Sequence, residues 1–394
     1  MSRPLAPCHL CREPGLEELS DTDVPTWITS DFRPWPAPET QLLLCPACGA
    51  VQKSTSQAWH QAIEAIYASY DPYPQGRRIE QASFVHAAGS APLVRSEAIL
   101  RQVIATLDLP GQGRMLDVGC GDGSLIASFG RLRPHWRLNA ADVSSRFRDR
   151  ILTLPGVEGF HSIDPACIEG PFDLVTMVHV FEHIVDPIAV LSTWRHLIGP
   201  GGKLLIQVPN LAQNPFDLVI LDHATHFTLD VLTRTIRRAG FDIMVAVDDW
   251  VAKELTVIAT PGLGSDEGRS NVGSVRTLTL GHLSWLGGLA GAARAASEHR
   301  PFGIFGTSIA ASWLHGSIDG KADFFVDEDP NRIGGLHFSR PILSPAAVDP
   351  AALLFVPLPP VIAGRVGERL RALGLRIALP PVLADDPSVS PQNT

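Results

Sequence analysis

What this sequence lacks narrows its class before any motif is read. No apolar run approaches the roughly 20 residues needed to cross a bilayer, and the opening MSRPLAPCHLCREPG has no apolar core of a signal peptide. A cytoplasmic protein with no membrane partner is expected. Positive charge is also short: 32 Lys and Arg face 41 Asp and Glu, a formal net charge of −9. Binding nucleic acid requires a basic surface to neutralise phosphates, so no nucleic-acid partner is expected. A small anion held by local groups is still compatible. Tyrosine is rare, and all three copies fall within YASYDPYPQG at 67–76. That stretch reads as a linker whose rings either pack beneath a Pro-rich loop or face a substrate.

Cysteine is scarce too, but its spacing is informative. Four of the six cysteines form CHLC and CPAC, that is Cys8/Cys11 and Cys45/Cys48, while Cys120 and Cys167 stand alone. A reducing cytosol disfavours disulfides, and two CxxC pairs at this separation read as one tetrahedral zinc site. Four thiolates fill such an ion completely, which makes the zinc structural rather than catalytic. Residues 1–75 are Pro-rich and loop-like, with too little apolar surface to fold well alone, so a metal would supply stabilisation.

What is present is a large apolar fraction, 45% of 394 residues, enough for two or three domains. From 76 to 261 helical and strand-like segments alternate. SEAILRQVIATLDL, GSLIASFGRL, PIAVLSTWRHLI and LDVLTRTIRRAG have helical period. RMLDVGC, WRLNAADVS, FDLVTMVHV, GKLLIQVPN, FDIMVAVDD and ELTVIAT read as strands. The alternation predicts an α/β, mostly parallel, doubly wound sheet. GLGSDEGRSNVGSV at 262–275 is a break. Beyond it a helical connector leads into a second α/β unit, 262–385, containing FGIFGTSIAASWLHG, ADFFVDEDP, LLFVPLP and LRIALP, with a frayed tail at 386–394.

The most informative stretch is MLDVGCGDGSL at 115–125, where an apolar strand containing Asp117 meets Gly119, Gly121 and Gly123 before a helix. Glycines there allow a sharp turn and close approach of a ligand to backbone amides. Dinucleotides, flavins and S-adenosylmethionine all use turns of this kind. DVGCGDG is not GxGxxG, and Asp142 ends a strand about 20 residues later, where a carboxylate can hold ribose hydroxyls. With FDLVTMVHVFEHIVDP, a helix and GPGGKLLIQVPN in order behind it, the region resembles the class I S-adenosylmethionine-dependent methyltransferases. The resemblance implies a Rossmann-like core and gives roles to matching residues. Asp117, Gly119, Cys120, Gly121 and Gly123 would wrap the amino-acid end of the cofactor. Asp142 would bind the ribose, Val143 would lie on the adenine, and His179 would stand where the sulfonium is presented.

A double CxxC, this core and a nucleotide-fold-like tail together resemble the sugar C-methyltransferases of deoxysugar biosynthesis. That similarity implies a nucleotide-linked keto-deoxysugar as small-molecule substrate, with a monomer as the default state. A carbon acceptor beside a ketone needs a base and donors for the enolate oxygen. LDHATHFT at 221–228 aligns with the family's acid–His run. There His223 would remove the proton, Asp222 would orient or tune that imidazole, and His183 would assist at the enolate or sugar oxygen, His226 being secondary. A structural pair of histidines in a loop is the competing reading, as is helix capping by His179 and His183. Two departures stand out: Ile220 replaces the family's tyrosine, and Lys253-Glu254 replaces a His-Gly-Gly-Ser-like turn. The C-terminal GIFGTSIAAS at 303–312 looks like a second phosphate cradle, with Gly303, Gly306 and Thr307 at the turn and Asp327 ending the next strand. The alternatives are an O- or N-methyltransferase on another polar metabolite, and a cofactor-binding module without catalysis.

Overall fold

The computed structural model describes residues 7–19, 26–36, 40–70, 82–83, 93–264 and 270–382. The Pro-rich part of the linker at 71–76 and the tail at 386–394 lie outside them, as does 265–269 within the 262–275 break. The centre is a seven-stranded sheet: β1 (Arg114–Val118), β2 (Arg137–Ala141), β3 (Val157–His161), β4 (Phe172–Val178), β5 (Ile198–Pro209), β6 (Phe241–Val247) and β7 (Glu254–Pro261). The strand order is 3-2-1-4-5-7-6. All neighbours pair in parallel except β7, which runs antiparallel to both β5 and β6. This is the expected doubly wound sheet. β3 was not foreseen, because VEGFH is only half-buried and has no apolar run.

The order reverses at β1 and β4, so a crevice opens outside their carboxyl ends, the usual ligand position of such sheets. Met115, Leu116, Leu174, Val175, Leu205 and Ile206 are wholly buried at the middle of the sheet, which keeps that rim rigid. Helices Arg95–Thr106, Ser124–Leu132, Pro187–Trp194 and Leu229–Arg238 fall where their periodicity predicts. The last is capped by Thr228, whose hydroxyl accepts from Val231 N–H, with Asp230 in the first turn and Arg237 and Arg238 in the last, matching the helix dipole.

The N-terminal segment is built into the core rather than appended to it. Strands Glu17–Glu18, Leu42–Leu44 and Val51–Lys53 form a sheet whose fourth strand, Thr225–His226, comes from the histidine loop. Gln52 pairs with Thr225 and Val51 with His226. A 25-residue helix, Val272–Ala296, then connects to the second unit. That unit contains β8 (Phe302–Phe305), β9 (Phe324–Val326), β10 (Leu336–His337), β11 (Arg340–Leu343), β12 (Leu353–Phe355) and β13 (Arg376–Ala378), in the order 10-11-9-8-12-13. Only the β10–β11 pair is antiparallel, so the expected Rossmann-like architecture is present. Phe216 locks the two units together, its ring centroid 5.7 Å from Trp285 and 5.9 Å from Trp313. No helix among the described residues is long and apolar enough to cross a membrane.

Candidate active site

A cavity of about 960 Å³ runs along the rim of the central sheet to the second unit. It lies at the large end of ligand sites, with room for a cofactor and an acceptor together. At one end β1 passes into the glycine turn. Gly119, Gly121 and Gly123 have φ of +73°, +53° and +84°, a region that disfavours side chains. A Cβ on Gly119 would run into Val180, whereas one on Gly121 would meet nothing within 4 Å. Backbone at Gly121 is therefore open to a ligand. Asp142, just beyond β2, accepts hydrogen bonds from Gly121 N–H (2.9 Å) and Ser144 N–H (2.8 Å), which fixes its carboxylate at the wall. Val143 beside it is 66% exposed, a flat apolar surface. Asp117 is buried and accepts from the Thr176 hydroxyl at 2.6 Å; burial pushes its carboxyl up to about 7. Of the residues expected here, Asp117, Gly119, Cys120, Gly121, Asp142, Val143 and His179 all line the cavity. Gly123 does not line it; its left-handed backbone caps helix Ser124–Leu132 instead.

His179 follows β4 with φ +56°, held among Arg95 Nη2 (3.2 Å), Glu182 Oε1 (3.1 Å) and Glu254 Oε2 (3.3 Å). Burial, and then the Arg95 charge, keep its imidazole neutral. Burial pushes the Glu182 carboxyl up to about 8, and its Oε2 is buried with no hydrogen-bond partner. A carboxyl kept protonated in this way is a hydrogen-bond donor at neutral pH.

The histidine loop closes the other side of the cavity. His223 is 4% exposed and lines it. The expected orientation of His223 by Asp222 is not what the structure shows: His223 Nδ1 stands 2.6 Å from Asp217 Oδ1. Asp222 is directed away, receiving Ser30 N–H at 2.8 Å and the Ser30 hydroxyl, with its carbonyl accepting from His183 Nδ1 at 2.8 Å. Leu221 and Asp222 lie in a turn, and Ser30 holds the Asp222 carboxylate away from His223 Nδ1. Asp217 reaches that atom instead, because the turn Pro215–Val219 is anchored through Phe216. Burial would raise the Asp217 carboxyl, but the two imidazoles bonded to it outweigh this and hold it well below the usual range. An ionised Asp217 accepts only, so His223 carries its proton on Nδ1 and presents Nε2 as a proton acceptor. Burial lowers His223, but the Asp217 contact outweighs it and raises the imidazole above its ordinary value.

His183 also lines the cavity, its ring 4.7 Å from that of His223 and edge-on. Its Nδ1 proton is committed to the Asp222 carbonyl, and burial lowers it to about 4, so its Nε2 accepts rather than donates. Of the two roles expected for it, at the enolate or at a sugar oxygen, an accepting Nε2 suits a sugar hydroxyl. Tyr67 and Tyr70 line the same space, which favours the substrate-facing reading of the aromatic cluster. Ile220, Lys253 and Glu254, the residues of the two departures, all lie on its wall. From the second unit come Ser308, Ile309, Ala310 and Arg332, at the N-terminus of helix Ile309–Ser317. Arg332 Nη1 donates to the Thr307 hydroxyl at 2.7 Å, and Thr307 donates to Asp327 at 2.7 Å.

The four cysteines of the two CxxC pairs converge. Cys8 and Cys48 Sγ are 3.6 Å apart and Cys11 and Cys45 Sγ 3.5 Å, with all four within 4.8 Å of one another. A tetrahedron with zinc–sulfur bonds of about 2.3 Å has edges of about 3.8 Å, so the thiols fit a zinc ion.

The sequence pattern alone did not point to Asp217, Lys53 or Glu182. Asp217 lies six residues before His223 in an apolar run, and Lys53 follows the second CxxC by five, spacings that carry no known motif. Glu182 stood in view in FEHI without a signal that burial would protonate it.

Residues 94–245 match the family model described as a methyltransferase domain. With the 3-2-1-4-5-7-6 sheet and the glycine turn, this region is a class I S-adenosylmethionine-dependent methyltransferase domain. The ubiquinone biosynthesis O-methyltransferase of Xanthomonas oryzae pv. oryzae (strain PXO99A) is 34% identical over 131 residues, covering 31% of this chain and 53% of that protein. The chain thus spans about half the length of the curated relatives it matches. Among solved structures, the mitomycin 7-O-methyltransferase is 18% identical with a TM-score of 0.37, covering 42% of this chain and 53% of that one. An S-adenosylmethionine-dependent methyltransferase from Aquifex aeolicus is 20% identical with a TM-score of 0.35, covering 42% and 88%.

Proposed function

We propose that the protein transfers a methyl group from S-adenosylmethionine to the carbon beside the ketone of a nucleotide-linked keto-deoxysugar. The observation that carries this reading is the His223–Asp217 pair, an oriented proton acceptor on the wall of the cavity that the glycine turn shares. An oxygen nucleophile needs at most a proton acceptor, whereas a carbon acid also needs a donor for the oxygen that gains charge. Protonated Glu182 is that donor, replacing the phenol absent at Ile220. His223 Nε2 takes the proton from carbon, Glu182 stabilises the enolate oxygen, and the carbon then takes the methyl group. Neutral His183 Nε2 accepts from a sugar hydroxyl and so orients the ring.

S-adenosylmethionine supplies the electrophilic methyl on its sulfonium. Asp142 holds its ribose, the Gly119–Gly121 amides its amino-acid end, and Val143 the adenine face. At the far end the turn Gly306–Ser308 offers helix N-terminal amides to the diphosphate, with Arg332 beside them. Zinc, held by Cys8, Cys11, Cys45 and Cys48, cross-links the N-terminal segment and takes no part in the chemistry.

O-methylation is the second reading, favoured by the relatives that carry that name. Incubation with 13C-methyl S-adenosylmethionine and a panel of keto-sugar nucleotides separates the two. A product methyl coupled to carbon in the NMR spectrum is expected. A methyl ether would refute carbon transfer.

A further inference from the structure

Lysine is almost never fully buried unless paired, yet Lys53 has no exposed surface. It lies at the end of strand Val51–Lys53, five residues past the second CxxC, beneath the histidine loop. Its Nζ is 3.0 Å from His226 Nε2 and donates to the His223 carbonyl at 3.1 Å, and it sits 5.1 Å from the centroid of the Trp27 ring. His226, itself buried, places Nδ1 2.7 Å from Asp217 Oδ2. Asp217 Oδ1 is the atom that receives His223. Four side chains therefore form one unbroken series of hydrogen bonds, Lys53, His226, Asp217 and His223, from the cysteine-bearing segment to the cavity.

The donor inventory fixes the direction of every bond. Ionised Asp217 accepts only, so His226 must carry its proton on Nδ1, which leaves its Nε2 to accept from Lys53 Nζ. That proton goes to Asp217 Oδ2, which leaves Oδ1 for the Nδ1 proton of His223. Were Lys53 replaced by a neutral apolar side chain, His226 Nε2 would be free to take a second proton. The imidazolium so formed would compete for the Asp217 charge and repel a proton on His223. We propose that Lys53 and His226 are positioning residues which, from outside the cavity, hold His223 in its proton-accepting tautomer and keep the Asp217 charge available to it. This rests on the reading of His223 as the base, and it makes the cysteine-bearing segment part of the catalytic apparatus.

The charged and titratable groups facing His223 come from every element packed around it: Asp217 from the preceding turn, Asp222 from its own loop, and Glu182 and His183 from beyond β4. Glu254 and His179 interact with it from the opposite wall. Lys53 and Asp217 face His226. Burial, and then the Lys53 charge, lower His226 to about 4, which agrees with a neutral ring. Burial brings Lys53 down to about 7, opposed by Asp217 and Asp222.

The test is a 15N-histidine NMR titration of the full-length zinc-bound chain, which reads tautomer and midpoint for each ring without a substrate. Wild-type His223 and His226 are expected to be protonated on Nδ1. Lys53→Met should raise the His226 midpoint and lower that of His223. In a His226→Asn background, which retains a donor to Asp217, Lys53→Met should shift His223 much less, because the path through His226 is gone and only the Lys53 bond to the His223 carbonyl is left. His226→Leu, which removes the donor, should raise the His223 midpoint, and His226→Asn should restore it; this pair stands if Lys53→Met does not fold. Turnover of Lys53→Met should fall on the order of tenfold with KM for S-adenosylmethionine unchanged. An unchanged His223 midpoint in Lys53→Met, or an equal change in the His226→Asn background, would overturn the proposal. Failure of carbon methylation alone would count against the proposed reaction and leave the titration to decide the relay.

Discussion

The two halves of the cavity are built in opposite ways. The cofactor half comes from one continuous stretch, β1, the glycine turn and the start of a helix, with Asp142 added from the adjacent strand. The acceptor half draws on Ser30 and Lys53 from the N-terminal segment, Tyr67, His183 beyond β4, Asp217 and His223 from the loop after β5, and Arg332 from the second unit. A half assembled locally tolerates change elsewhere. One assembled from distant segments depends on every junction between them.

That contrast predicts which perturbations spare the methyl donor and which do not. The largest effect belongs to His223→Gln. It should cut turnover by about 10²–10⁴-fold, the usual contribution of a general base, while calorimetric affinity for S-adenosylmethionine is kept. A parallel loss of affinity would mean the halves are not separable. Chelation of the zinc proposed at the four cysteines comes next. The thiol segment supplies the strand that pairs with Thr225–His226, so its loosening should remove acceptor turnover by roughly tenfold or more. Donor binding should be spared, and near-equal loss of both would break the comparison. Asp142→Asn is the reciprocal case: donor affinity should weaken about tenfold, the worth of a charge-assisted hydrogen bond of about 1.5 kcal/mol, with His223 titration unaltered.

The smallest effect is on pH. His223 acts as a base only when neutral, and the Asp217 contact raises its proton affinity. The acid limb of kcat/KM should therefore lie above about 6.5, the ordinary imidazole value. Activity is lost as pH falls through that limb. Asp217→Asn should move the limb downward, because the neutral amide no longer favours the imidazolium.

The same division explains what could be read from the sequence. The place of Asp117, Gly119, Gly121 and Asp142 on the cavity wall was legible because a strand, a tight turn and the end of the next strand need fixed residues at fixed local spacing. The convergence of the four cysteines was legible for a similar reason, since two CxxC pairs bring their thiols close. The alternation of strands and helices gave away the sheet, apart from β3, whose half-buried VEGFH lacks an apolar signature. His223 could be singled out, but its partner could not. Asp222 is its neighbour in the chain but is held away by Ser30, whereas Asp217 reaches it only because Phe216 is wedged between two units. Lys53 is more distant still, 170 residues from the carbonyl it bonds. Glu182 was misjudged by omission: its proton comes from burial, a property of the folded chain.

The central claim is that His223, oriented by Asp217, removes a proton from carbon. Its most direct test is deuterium uptake from D2O at the carbon beside the ketone of a keto-sugar nucleotide, with the methyl donor left out. Wild-type protein should incorporate deuterium at that carbon and His223→Gln should not. Methyl transfer proceeding on a substrate whose carbon never exchanges, or exchange persisting undiminished in His223→Gln, would contradict the account.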